Sequence, residues 1–174
     1  MSIPAAFVPP DEADRSLETL THALAERCLT AGIGVTAAES CTGGGVASAI
    51  TAVAGSSSYF ETGYVTYANA AKTRLLGVRE ATLADHGAVS EQTVCEMVAG
   101  ACRDSGAGLG VAISGVAGPG GGSADKPVGT VWIAWGHTQA QRARRYRFEG
   151  DRAAVRERAV AIALAGLIDW LAAT

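Results

Sequence analysis

The sequence is short of lysine: of its 14 basic residues only Lys72 and Lys126 are lysines, and the rest are arginines. Arginine stays protonated inside proteins whereas lysine can be tuned to act as a base, so each surviving lysine is a candidate. A positive excess is also missing. A net charge of -3 and a pI near 5.6 lack the basic footprint of a duplex-binding protein and exclude nucleic acid as the expected partner. No apolar run approaches the roughly 20 residues of a membrane helix, and the N-terminus carries no basic leader, so a cytoplasmic protein without membrane attachment is expected. The four cysteines, Cys28, Cys41, Cys95 and Cys102, lack CxxC spacing and read as reduced thiols, while His22, His86 and His137 are too scattered for metal ligation. Neither metal nor cofactor is expected.

What is present fits one domain of 174 residues, with 48% apolar composition to fill a core. Residues 1–11, with Pro4, Pro9 and Pro10, predict a loose arm, and 12–174 the folded domain. Leu17, Leu20, Leu24 and Cys28 recur at helical spacing until Gly32, and residues 33–38 are a β-prone run. Residues 43–53 predict a helix opened by Thr42 and its glycines. Further strands are expected over 59–67, 109–114, 128–136 and 141–148, and helices over 69–76, from about 93, and over 151–173. The last helix is apolar on more than one face, which suggests an oligomer contact as well as a core; a homo-oligomer, dimer or higher, is expected. This order predicts an α/β fold, a three-layer α/β/α sandwich with a mixed sheet, whose ligands bind beyond the carboxyl ends of the parallel strands.

Two glycine-rich segments would lie there. Ala38-Glu39-Ser40-Cys41-Thr42-Gly43-Gly44 sets a hydroxyl between a strand and a helix start, where backbone N–H groups can stabilise an oxyanion; the same hydroxyls could equally serve as caps. No GxSxG or SxxK motif surrounds Ser40, so its base must come from elsewhere, and Lys72 follows the strand expected to neighbour it. An ordinary exposed helix lysine is the competing reading of Lys72. A Cys41–His86 pair is the formal alternative nucleophile and base. The loop Ser114-Gly115-Val116-Ala117-Gly118-Pro119-Gly120 fails the GxGxxG spacing and precedes a strand, so a Rossmann dinucleotide site is not expected, while an anion-cradling or merely flexible loop is. Seven arginines crowd residues 142–158, and Arg152, in the turn Gly150-Asp151-Arg152, is the best placed to reach a phosphate.

The chain also resembles a known family, the C-terminal domain of CinA, the competence-damage-inducible protein. The motifs that carry the likeness are AESCTGG at 38–44, GSSxYF at 55–60, VTYxNxxK at 65–72, LLGV at 75–78, HGAVSE at 86–91, AISGVAGPGGG at 112–122 and KPVGTV at 126–131. The resemblance implies a metal-free amidohydrolase converting nicotinamide mononucleotide to nicotinate mononucleotide and ammonia in pyridine-nucleotide salvage. By the family pattern Ser40 is the nucleophile, and Lys72 with Tyr67 forms the general-base apparatus. Thr42, Gly43 and Gly44 belong to the oxyanion and substrate site, with Asn69, Ser114, Gly115, Gly118, Gly120 and Arg152 around the nucleotide. Ala68 stands where many relatives have Ser, and the molybdopterin-binding-like domain of full-length CinA proteins is absent from this sequence. A non-catalytic nucleotide-binding or interaction module linked to competence or DNA damage is the alternative.

Overall fold

The computed structural model describes residues 3–174, and it forms a single α/β domain of three layers. Its sheet contains β1 (Val35–Glu39), β2 (Phe60–Val65), β3 (Leu109–Gly115), β4 (Thr130–Gly136) and β5 (Gln141–Arg147). Their order across the sheet is β2-β1-β3-β4-β5. β1 runs parallel to both β2 and β3, and β4 and β5 complete an antiparallel hairpin, so the sheet is mixed as expected. Helices α1 (Leu17–Ala31), α2 (Gly45–Thr51) and α6 (Arg152–Ala172) cover one face; α3 (Asn69–Leu76), α4 (Glu80–His86) and α5 (Glu91–Ser105) cover the other.

The period-two alternation of the strands decides which residues meet which layer. Toward α6 the sheet presents Val35, Val111, Ile113, Ile133 and Trp135, which join Leu24, Leu164, Leu167 and Trp170 in the larger core. Toward α5 it presents Ala38, Ala112 and Ala134, aligned in one cross-strand row. Small side chains let α5 lie close: a Cβ added at Gly110 would fall 2.7 Å from the Cys102 sulfur.

Two expectations change. The proline-rich arm is tied down: Phe7 is buried with its ring 4.7 Å from that of Trp170, and Arg144 and Tyr146 donate to the carbonyls of Pro9 and Pro10. Residues 1 and 2 of that arm lie outside the described residues. The broad apolar surface of α6 is consumed within the chain, because α6 is wedged between α1, α2 and the sheet. Among the described residues no helix is long and apolar enough to cross a membrane.

Candidate active site

The three parallel strands carry hydroxyls at matching positions near their carboxyl ends: Ser40 and Thr66 directly follow β1 and β2, and Ser114 is the penultimate residue of β3. Glu39 is in register with Val65 and Ile113. The ladder continues one step further, with the Ser40 amide donating to Ile113 O at 3.0 Å and the Thr66 amide to Glu39 O at 2.8 Å. Ser40, Thr66 and Ser114 therefore extend the row two residues beyond Ala38, Tyr64 and Ala112, toward the α3–α5 layer. All three are buried, and the hydroxyls of Thr66 and Ser114 have no hydrogen-bond partner among the described residues.

Lys72 enters this row from α3. It shares the buried face of that helix with Leu76, four residues on, and its side chain is 1% exposed. Nζ lies 3.2 Å from Ser40 Oγ, 2.8 Å from Thr66 O and 3.4 Å from Tyr67 O. Burial lowers the pKa of the ammonium below the ordinary lysine value, with the neighbouring Cys41 opposing the shift. A neutral lysine has two N–H groups and one lone pair. With the two carbonyls taking the N–H groups, the lone pair is left facing Ser40 Oγ.

The turn after Ser40 differs from the sequence expectation. Gly43 and Gly44, expected to offer their amides to an oxyanion, already use them: Gly43 donates to Ser40 O at 3.0 Å and Gly44 to Glu39 Oε2 at 3.0 Å. Thr42 does not cap α2. That position belongs to Gly44, and the Glu39 carboxylate also accepts from Val46 and Ala47 at 3.1 and 2.9 Å, satisfying donors that a helix start leaves open. The Thr42 hydroxyl is buried without a partner among the described residues, and its carbonyl accepts from Arg156 Nη2 at 2.8 Å. Glu39, Thr66 and Arg156 were missed by the sequence reading. Glu39 alone left a signal, a carboxylate one residue before the hydroxyl and five before the glycine that caps the helix.

Tyr67 reaches Lys72 through its main chain rather than its phenol. The phenol hydroxyl accepts from Arg152 Nη2 at 2.9 Å, and the ring is 59% exposed. Arg152 Nη1 donates to Gly118 O at 2.8 Å, so this arginine joins the glycine-rich loop to the Tyr67 side of the site. Asn69 opens α3 and is exposed. Two glycines of the loop are explained by packing alone. A Cβ at Gly115 would come within 2.8 Å of Thr130 O, and one at Gly118 within 2.6 Å of a Val128 methyl. Gly120 has open space around it. Lys126 donates to His86 O at 2.8 Å and fastens the loop to the end of α4.

The alternative pair does not form. Among the described residues no hydrogen bond joins Cys41 to His86, and burial pushes the Cys41 thiol up to about 11, away from the thiolate that attack requires. Among the described residues no cluster of three or more His, Cys, Asp or Glu has metal-holding geometry.

Comparison with known proteins identifies the family. The chain is 55% identical over 152 residues to nicotinamide-nucleotide amidohydrolase PncC of Pseudomonas putida, covering 87% of this chain and 95% of the relative. It is 53% identical over the same length to the PncC of Escherichia coli (strain K12), covering 87% and 92%. A solved CinA superfamily protein from Klebsiella pneumoniae superposes with a TM-score of 0.87 at 44% identity, over 91% of this chain and 99% of that one. The family model for the CinA C-terminal domain matches residues 17–171, and the chain belongs to that family.

Proposed function

We propose that this protein is a nicotinamide-nucleotide amidohydrolase of pyridine-nucleotide salvage in the cytoplasm, hydrolysing the carboxamide of nicotinamide mononucleotide to the carboxylate and ammonia. One observation carries the chemistry: a fully buried lysine whose Nζ stands 3.2 Å from a serine hydroxyl at the mouth of three parallel strands. A buried lysine is expensive to keep and is retained where its proton can be moved. The names and high identities of the PncC relatives supply the substrate.

In the reaction Lys72 Nζ takes the proton of Ser40 Oγ as the oxygen bonds to the carboxamide carbon, and the carbonyl π pair moves to the oxygen as an oxyanion. Collapse breaks the C–N bond, the nitrogen takes a proton from Lys72 and leaves as ammonia, and an acyl-Ser40 ester remains. Water, deprotonated by Lys72, then attacks the ester and releases the nicotinate product, with the proton returned to Ser40. The hydroxyls of Thr66 and Ser114, buried beside this centre without partners among the described residues, suit the amide nitrogen and the entering water. Arg152 and the open backbone at Gly120 offer donors for the phosphate, and the exposed Tyr67 ring between Arg152 and Lys72 offers an aromatic face for the pyridinium.

The decisive experiment is release of ammonia from nicotinamide mononucleotide by the purified protein, with Ser40→Ala as control. Release by wild type that is lost in Ser40→Ala supports the reading; no release by wild type, or equal release by both, rejects it.

A further inference from the structure

Ser40 stands on a turn that is fastened from two sides by charged side chains the reaction does not consume. From the sheet, the Glu39 carboxylate holds the amides of Gly44, Val46 and Ala47. From α6, Arg156 Nη2 holds the Thr42 carbonyl at 2.8 Å and lies 3.3 Å from where a Gly43 Cβ would sit, so the guanidinium covers the turn. Gly43 and Gly44, at φ 61° and 97°, supply the left-handed conformation that brings the chain back toward Glu39. Arg156 holds this contact although its own Nε is buried without an acceptor among the described residues, a desolvation cost that a surface-seeking arginine avoids.

The fastening decides which amides are free. Gly43 donates to Ser40 O, Gly44 to Glu39, and Gly45 to Thr42 O at 3.2 Å. The Thr42 amide donates to no acceptor among the described residues, and the Cys41 amide, immediately after the nucleophile, meets only its own thiol. We propose that Glu39 and Arg156 are positioning residues that lock the Ser40–Gly44 turn so that the amides of Cys41 and Thr42, not those of Gly43 and Gly44, receive the oxyanion formed on attack by Ser40. This rests on Ser40 being the nucleophile, as proposed above. Donors fixed before reaction need no reorganisation as charge develops, and a turn free to relax would lose that advantage in kcat rather than in substrate binding.

The test compares wild type with Arg156→Ala, Arg156→Lys and Glu39→Gln in two assays. The first is the rate at which a small fluorophosphonate modifies Ser40, followed by mass spectrometry, and it is independent of the nucleotide. The second is kcat and KM for nicotinamide mononucleotide, with thermal melting to establish the folded fraction. Arg156→Ala is expected to lower both the labelling rate and kcat about tenfold to a hundredfold, with KM within about threefold. Arg156→Lys should fall between it and wild type, and added guanidinium should restore labelling to Arg156→Ala but not to Glu39→Gln. The ionisation that governs the wild-type rate should stay where it is in Arg156→Ala. Wild-type rates in Arg156→Ala, or a rise confined to KM, would overturn the proposal, as would activity falling only in proportion to the folded fraction. Arg156 lies half-exposed on α6, so its variants keep the test open even if Glu39→Gln fails to fold. Wild type that is labelled at Ser40 but releases no ammonia would reject the substrate and leave the positioning roles standing; wild type that is not labelled would reject both.

Discussion

On the α6 side of the sheet β1, β3 and β4 present valine, isoleucine and Trp135, whereas on the α5 side their central row is Ala38, Ala112 and Ala134, with Gly110 before it, the hydroxyls of Ser40 and Ser114 after it, and the larger Tyr64 and Trp132 only at its edges. β3 shows the contrast within seven residues: Val111 and Ile113 face the larger core, while Gly110, Ala112 and Ser114 face α5. The large side chains bury most of the apolar area and hold the fold. The small ones let the α3–α5 layer approach until a lysine amine from α3 reaches a serine at the end of β1. Stability and chemistry are thereby assigned to opposite faces, and each can be disturbed with the other left in place.

The sharpest break in that division is Lys72→Met, which keeps the length and the apolar stem and removes the base. Loss of a general base is expected to lower kcat by about 10²–10⁴-fold. Thermal stability should change little, because removing a buried amine is offset by the Thr66 and Tyr67 carbonyls losing their donor. The wild-type rate should rise with pH along an ionisation below about 10.4, the value of a free lysine. The stability sign is also fixed. With its folded pKa depressed, Lys72 binds fewer protons in the folded than in the unfolded state between the two values, so stability gains with pH across that window. Lys72→Met should lack the gain. Single-turnover rates and melting curves across pH 6–10 check both, and near-normal turnover in Lys72→Met would sink the mechanism.

The opposite break is Leu164→Ala in the buried face of α6. A fully buried leucine truncated in a packed core is expected to cost about 2–5 kcal/mol, with kcat of the folded fraction unchanged. Denaturant titration beside kinetics measures both. A comparable loss of kcat at full folding would show that the two faces are coupled.

Part of this arrangement was legible in the sequence. Ser40 and Lys72 stood out because a hydroxyl at a strand-to-helix junction and a rare lysine after the neighbouring strand are local features, and the parallel pairing of β1 with β2 then brought them together. Arg156 was not legible, since its target, Thr42, lies 114 residues earlier and only the packing of α6 on α2 makes them neighbours. The Gly43 and Gly44 amides looked free because their acceptors depend on how the turn folds back onto Glu39 and Ser40. The prolines of the arm read as loose chain, and nothing local to Phe7 told that its ring docks between Trp135 and Trp170. α4 was missed as well, being seven residues long with one buried side chain.

A smaller effect is expected at the rim of the site. Arg152→Ala removes a guanidinium that bridges Gly118 and Tyr67 and is proposed to meet the phosphate. Losing a charge-assisted contact is expected to cost about 1.5–3 kcal/mol in kcat/KM for the mononucleotide, at least tenfold. The riboside, which has no phosphate, should show little difference between wild type and variant. An equal loss for both substrates would assign Arg152 to holding Tyr67 and the loop rather than to the phosphate.

The smallest effect is expected from thiol reagents, and it bears on which neighbour in Ser40-Cys41 attacks. Alkylation and nucleophilic attack both need thiolate. Desolvation raises the Cys41 pKa to about 11, and the charge of Glu39 adds to it, while its own backbone amide, Arg152 and Arg156 pull the other way without prevailing. At pH 7 that leaves about one thiolate in ten thousand, and the side chain is 5% exposed. Cys28 and Cys102, each pushed up to about 12, are no better placed to react. Iodoacetamide at neutral pH is therefore expected to leave Cys41 unmodified and ammonia release unchanged over times that consume a free thiol, while the fluorophosphonate still labels Ser40. Peptide mass spectrometry beside the ammonia assay reads both. Rapid alkylation of Cys41 with parallel loss of activity would show that the thiol is ionised in this site, and would return the Cys41 nucleophile to consideration.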